Sequence, residues 1–203
     1  MSLVKPREKV KEVADELVKV LHEEYGWFGE EELKNTGTRI AKFFEEFYQK
    51  AKANQDEEIK VFETNYNGFV IDVGIEVKAM CSHHLLPIVG EMSIAYIPKN
   101  GKYLGLSKLS RIAKRYLYQP ILQEEVTRKI LDEIVKEINP EFAMVVITAR
   151  HYCKVFRGTE DKNSIMMTVE VYPKSREAFE LEKKAWSYIK FANMMKKQIG
   201  GGL

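Results

Sequence analysis

Three of the four histidines and both cysteines of this 203-residue chain fall in two short clusters, CSHH at residues 81–84 and HYC at 151–153. Thiolate sulfur and imidazole nitrogen together suit Zn²⁺. Cys81 and His84, three positions apart in a tight connection, can both turn inward, and Cys153 is the natural third donor. A structural zinc site normally closes its tetrahedron with four protein ligands, often from two C-x-x-C-like knuckles. Here the count is three, which leaves a position for water and is a catalytic pattern. Two alternatives stay open at this level. His83 or His151 could be a fourth ligand, making the metal a brace, or both cysteines could be buried core residues with no metal. The zinc deaminase pattern, H-x-E with a distant P-C-x-x-C, and the helical H-E-x-x-H of metalloproteases are both absent from the sequence.

The elements that must hold these clusters are legible from periodicity. Phe69, Ile71, Val73, Ile75 and Val77 alternate with Val70, Asp72, Gly74, Glu76 and Lys78, the period of a strand with distinct faces. GEMSIAYIP predicts a second strand, so CSHH lies in the connection between two strands. Gly105–Tyr118 and Glu124–Ile138 predict consecutive helices, with Pro120 between them forbidding one continuous helix. AMVVITARHYC and NSIMMTVEVY predict two further strands around the turn residues RGTEDK. The order strand, strand, helix, helix, strand, strand is an α+β arrangement without the alternation of a Rossmann fold.

Upstream, Val10, Val13, Ala14, Leu17, Val20 and Leu21 predict a helix with one buried face. A second helix is expected to start near Thr36 as N-cap, with Ile40, Phe43, Phe44, Phe47 and Ala51 on one stripe. After Pro173 a charged helix, from about Leu181 to Gln198, carries Ala185, Trp186, Ile189 and Ala192 on one side and ends in a flexible GGGL. The expected organisation is an N-terminal helical segment over 1–60, a catalytic domain over 61–180 and a C-terminal helical extension over 181–203.

Composition narrows the function classes. The chain is 45% apolar and 31% charged with a formal net charge of +2, so no global charge favours nucleic acid or an anionic membrane. No apolar run approaches the ~20 residues that span a bilayer, and the charged amphipathic opening lacks a signal peptide's apolar core. The expectation is a cytoplasmic protein, where two cysteines more often mean metal ligation, a reactive thiol or burial than a disulfide.

CSHHLLPIVG, YLGLSKLSRIAKRY, LQEEVT and HYCKVFRG follow one another in that order, with TRIAK upstream and NS and SREAF downstream. On these motifs, over roughly residues 36–180, the chain resembles the GTP cyclohydrolase I family. The resemblance implies hydrolytic opening of the imidazole ring of GTP, loss of C8 as formate, and rearrangement of the ribose to give 7,8-dihydroneopterin triphosphate. It implies the tunnelling fold, a four-stranded antiparallel sheet with two helices between the strand pairs, matching the order read from periodicity. It makes Cys81, His84 and Cys153 the zinc ligands; the ion would lower the pKa of a water from about 15.7 to roughly 7. His83 and His151 become proton-transfer residues, a task suited to an unperturbed pKa of about 6.5. Glu124 becomes the guanine reader, since a carboxylate accepts two adjacent N–H groups in a bidentate pair, with Gln123 beside it as a supporting polar contact. Lys108, Arg111, Arg157, Arg39 and Lys42 match cations for the triphosphate, and Ser107 a serine near the ribose. Family members assemble as rings, often two stacked pentamers forming a decamer, with each site at a subunit boundary.

Two positions depart from the family's pattern. Ser82 stands where many members have glutamate, and Gly37 replaces a common proline, which is expected to loosen the start of the second helix. The final helix extends beyond the matched region and reads as a packing or assembly helix. Two rival readings are a non-catalytic pterin- or nucleotide-binding assembly braced by zinc, and a related tunnelling-fold enzyme acting on another purine or pterin.

Overall fold

The computed structural model describes residues 5–55 and 57–200, the side chains of 199 and 200 excepted. The expected flexible GGGL end therefore lies largely outside the described residues. The chain divides into two compact units, Met1–Ala53 and Asn54–Leu203.

The first unit is two helices, α1 (Glu8–Tyr25) and α2 (Glu30–Gln55). Gly26 stops α1 in the left-handed conformation at φ 69°, its N–H returning to His22 O at 2.8 Å. α2 begins more than a turn before Thr36, because Glu30, Glu31 and Glu32 occupy its first turn, where acidic side chains complement the helix dipole. Thr36 is therefore an interior residue of the helix. Gly37, expected near the helix start, is also interior and buried. A Cβ on it would come within 2.6 Å of Asp15 N and 2.7 Å of Asp15 Cα, so the two helices meet backbone to backbone at this point. Small residues fill the contact: Ala14, Val18 and Ala41 are buried, while Val10, Val13, Leu17 and Val20 of the expected buried face are exposed. Gly37→Ala is expected to destabilise this helix pair by about 1–3 kcal/mol. The overlap is with main chain that cannot rotate away, and it outweighs the roughly 1 kcal/mol that alanine's helix propensity returns. A thermal melt of the full chain followed by far-UV circular dichroism, unchanged in the variant, would refute the close approach.

The second unit contains β1 (Val61–Glu63), β2 (Val70–Cys81), β3 (Pro87–Ile97), β4 (Lys102–Leu104), α3 (Leu106–Tyr116), β5 (Pro120–Ile121), α4 (Gln123–Ile138), β6 (Phe142–His151), α5 (Tyr152–Val155), β7 (Met166–Tyr172) and α6 (Ala178–Gly200). β2, β3, β6 and β7 form the four antiparallel strands of the tunnelling fold, with α3 and α4 between the strand pairs in sequence. The strand expected over AMVVITARHYC stops at His151, where the short helix α5 begins and takes up Tyr152 and Cys153. Two short additions to the sheets were also not expected. β5 joins the sheet in parallel beside Met80 and Cys81, and β1 and β4 pair as a separate two-stranded ribbon. Among the described residues no helix is long and apolar enough to cross a membrane.

Each face of the sheet is covered by a different layer. α6 lays Ala178, Ala185 and Ile189 on Ala95, Ile97, Phe142, Met144 and Val146, with Phe69, Ile71 and Val73 packed at the margin. Burying one side chain such as Ile189 contributes about 1.5–3 kcal/mol. α4 covers the opposite face, towards which Ile147 and His151 of β6 project. The register shows how β2 serves both faces: Val73 pairs with Ser93, but the next pair is Ile75 with Met92. Gly74, at φ 78°, is the extra residue of a bulge. The continuous alternation from Phe69 to Val77 expected from the sequence is thus broken at its middle. Phe69, Ile71 and Val73 face α6, whereas Ile75, Val77, Ala79 and Cys81 face the side of α3 and α4. A side chain at Gly74 would also run into Lys196, which crosses the bulge to bond Glu91 at 2.6 Å.

Candidate active site

Cys81 ends β2 as a buried side chain, and the chain turns immediately. Leu85 N donates to Cys81 O at 2.8 Å, His84 N to the same oxygen at 3.2 Å, and Cys81 N to Leu86 O at 2.8 Å. Ser82 N reaches Ile121 O at 3.1 Å, which ties the turn to β5. That turn brings His84 Nδ1 to 3.5 Å from Cys81 Sγ. Cys153 arrives from the end of β6, in the first turn of α5, and the donor atoms of Cys81, His84 and Cys153 all lie within 4.8 Å of one another. Two sulfurs and an imidazole nitrogen at that spacing fit a tetrahedral soft-to-borderline cation. Burial, and after it the neighbouring Cys81 sulfur, pushes the Cys153 thiol up, while Arg157 pulls it down. Arg157 Nη1 also meets His84 Nε2.

A cavity of ≈ 250 Å³ opens on these residues, lined also by His83, Leu122, Gln123, Glu124, His151, Lys154 and Thr168. His83 is exposed, with its ring edge-on to His84 at 6.1 Å. Glu124 is exposed in the first turn of α4. Gln123 is only 2% exposed, and its amide orientation follows from its surroundings. Nε2 lies 3.2 Å from Ile147 O, 3.3 Å from Met166 O and 3.1 Å from Thr168 Oγ1. Carbonyl oxygens only accept, so the amide nitrogen belongs there and the amide oxygen faces His151. His151 then donates Nε2–H to Gln123 Oε1 at 2.7 Å, and the neutral ring keeps its lone pair on Nδ1. Two threonines support the arrangement. Thr127 Oγ1 donates to Gln123 O at 2.7 Å, so Thr168 is the donor in its 2.6 Å bond to Thr127 Oγ1. Burial lowers the basicity of His151, and the Glu124 carboxylate offsets part of that.

The structure therefore gathers Cys81, His83, His84, Gln123, Glu124, His151 and Cys153 about one cavity, with Arg157 against His84. Ser107, Lys108 and Arg111 are on α3 and are not among its lining; Arg111 pairs with Glu57. Arg39 and Lys42 are on α2, where Arg39 bonds Glu31 at 2.9 Å. Sequence reasoning missed Thr127, Lys154 and Thr168. Thr127, one helical turn beyond Gln123, and Lys154, next to Cys153, carried a positional signal, whereas Thr168 carried none.

The sequence profile of GTP cyclohydrolase I matches residues 11–190. A GTP cyclohydrolase 1 from Pelotomaculum thermopropionicum is 37% identical over 161 residues, covering 79% of this chain and 86% of that protein. One from Clostridium perfringens (strain 13 / Type A) is 36% identical over 163 residues, covering 80% and 86%. One from Caldanaerobacter subterraneus subsp. tengcongensis is 34% identical over 163 residues, covering 80% and 85%. Among solved structures, the apo form of archaeosine synthase QueF-Like aligns at a TM-score of 0.38 and 17% identity, over 54% of this chain and 95% of that one, a likeness too slight to bear on function.

Proposed function

Because the chain belongs to the GTP cyclohydrolase I family, we propose that it opens the imidazole ring of GTP, releases C8 as formate and rearranges the ribose to give 7,8-dihydroneopterin triphosphate. One observation carries this reading: the donor atoms of Cys81, His84 and Cys153, mutually within 4.8 Å, share a cavity with a carboxylate and an oriented histidine. The donor set suits zinc, which when bound supplies Lewis acidity and makes an attacking water available at neutral pH. A bracing role with a fourth histidine is disfavoured, since neither His83 nor His151 belongs to the group of donor atoms that lie within 4.8 Å of one another.

The chain's own residues then divide the work. Glu124 accepts two N–H groups from the guanine edge and so orients C8 towards the metal ligands. His151, with Nε2–H held by Gln123, receives a proton at Nδ1 and can return it to a leaving nitrogen. His83, at the exposed side of the cavity, exchanges protons with solvent. Gln123 acts through His151, since its amide is fully engaged inside the protein. Lys108, Arg111, Arg157, Arg39 and Lys42 are assigned to the triphosphate and Ser107 to the ribose. For Arg111 and Arg39 the phosphates replace the present partners Glu57 and Glu31.

We further assign a ring assembly, a decamer of two pentamers, with each site completed at a subunit boundary. Among the described residues β7 has no neighbour on its outer side, and β2 is paired on its outer side only at Met80 and Cys81. Such open edges invite pairing with another chain. Ser107, Lys108 and Arg111 lie outside the lining of the Cys81 cavity, which is consistent with their serving a neighbour's site. The test is to incubate the purified protein with GTP, assay formate and, after oxidation, pterin fluorescence, and measure zinc per subunit and assembly mass. Stoichiometric formate and a fluorescent pterin are the expected result. Tight GTP binding without formate would instead establish a binding assembly.

A further inference from the structure

Lys154 lines the same cavity as Cys81, His83 and Glu124, and its ammonium is engaged by two side chains that are not among that lining. Nζ donates to Ser164 Oγ at 2.6 Å and pairs with Asp161 Oδ2 at 3.3 Å. The main chain closes the same ring, with Asp161 N donating to Lys154 O at 3.0 Å and Ser164 N to Asp161 O at 3.2 Å. Enclosed between these contacts are Phe156, 71% exposed, Arg157, and Gly158 in the left-handed region at φ 67°. A loop with so little buried surface has few apolar contacts to fix its shape, so its polar closure decides where its side chains point. Ser164, part of the NS motif that carried no chemical role in the sequence, now has one as the acceptor of this clasp.

We propose that Lys154 is a positioning residue: clasped by Asp161 and Ser164, it holds the loop between Cys153 and Ser164 so that Arg157 faces the triphosphate. The inference rests on the reading of Arg157 as a phosphate contact. A cation tethered at a fixed place binds an anion better than one whose backbone must first be ordered, so the clasp acts on substrate affinity more than on the chemical step.

The experiment uses the full-length assembled protein. Lys154→Met is expected to raise KM for GTP about tenfold while kcat changes less than about twofold, with zinc per subunit unchanged. Asp161→Asn should move KM in the same direction. The double variant should be no worse than the worse single one, because both remove one interaction. Lys154→Arg should restore most of the affinity. Trypsin cleavage after Arg157 should accelerate in Lys154→Met, a readout that needs no activity. An unchanged KM together with unchanged cleavage overturns the proposal, as does loss of zinc in step with activity. If Lys154→Met raises KM but Asp161→Asn does not, the ammonium touches the substrate directly and the positioning role is wrong. Should the wild-type protein release no formate, the functional reading fails, while the trypsin comparison still decides whether the clasp orders the loop.

Discussion

Cys153→Ala is expected to abolish formate release and to reduce bound zinc far below one per subunit. The site has two cysteine sulfurs and one histidine nitrogen within 4.8 Å, and no other group of three metal-binding side chains occurs among the described residues. Losing one of three protein ligands leaves a two-donor site that binds zinc far more weakly, and with the metal goes the activation of water. The expected loss of turnover is at least about 10³-fold, since a free water has a pKa near 15.7 and cannot compete as a nucleophile. Cys153 sits in the first turn of the four-residue α5 and is only partly buried, so truncating it leaves the sheet intact. The informative measurements are formate yield, zinc by atomic absorption, and a far-UV spectrum that should be unaltered. Full turnover in a zinc-free variant would remove the metal from the mechanism.

Gln123→Met is expected to lower kcat by roughly 10²-fold, within the range attributed to a positioned general acid or base, with KM for GTP changed little. Methionine keeps the volume of the buried side chain but offers His151 no oxygen. The ring's Nε2–H loses its acceptor, the two neutral tautomers draw closer in energy, and Nδ1 no longer stands reliably unprotonated towards the cavity. The carbonyls of Ile147 and Met166 lose a donor as well, so a stability cost of about 1–3 kcal/mol accompanies the change. Zinc content separates the two effects: retained metal with depressed kcat indicates mispositioned histidine, whereas lost metal indicates local unfolding. Unchanged kcat would mean that His151 does not act through the nitrogen assigned to it.

What could be read in advance depended on how local each cue was. The grouping of Cys81, His84 and Cys153 as a candidate ligand set was legible because distinctive side chains at short spacing stand out, and both clusters lie at the ends of strands whose apolar period is clear. Glu124 and His151 reach the same cavity for the same reason, each being fixed by an element end. Gln123 was legible as a polar neighbour of Glu124 but not as the partner of His151. That depends on Ile147, Met166 and Thr168, brought together only by the pairing of β6 with β7 and its packing under α4. The start of α2 was misplaced because Thr36 looks like a cap while the acidic turn at Glu30–Glu32 is a stronger start signal. β5 and the β1–β4 ribbon are two or three residues long, too short for any period to show.

The bulge at Gly74 leaves no mark on the sequence period because apolar residues stand on both sides of it, so that the alternation is continuous while its meaning reverses. This makes the candidate metal site sensitive to chain length as well as to composition. Seven positions separate Gly74 from Cys81, and over that distance the strand counts in twos. Were the glycine deleted and the ladder made regular, either Phe69, Ile71 and Val73 would lose their place against α6, or Cys81 would point away from His84 and Cys153. A single residue that touches no substrate and carries no side chain therefore sets the phase that lets one strand anchor a helix at one end and deliver Cys81 to the candidate metal site at the other.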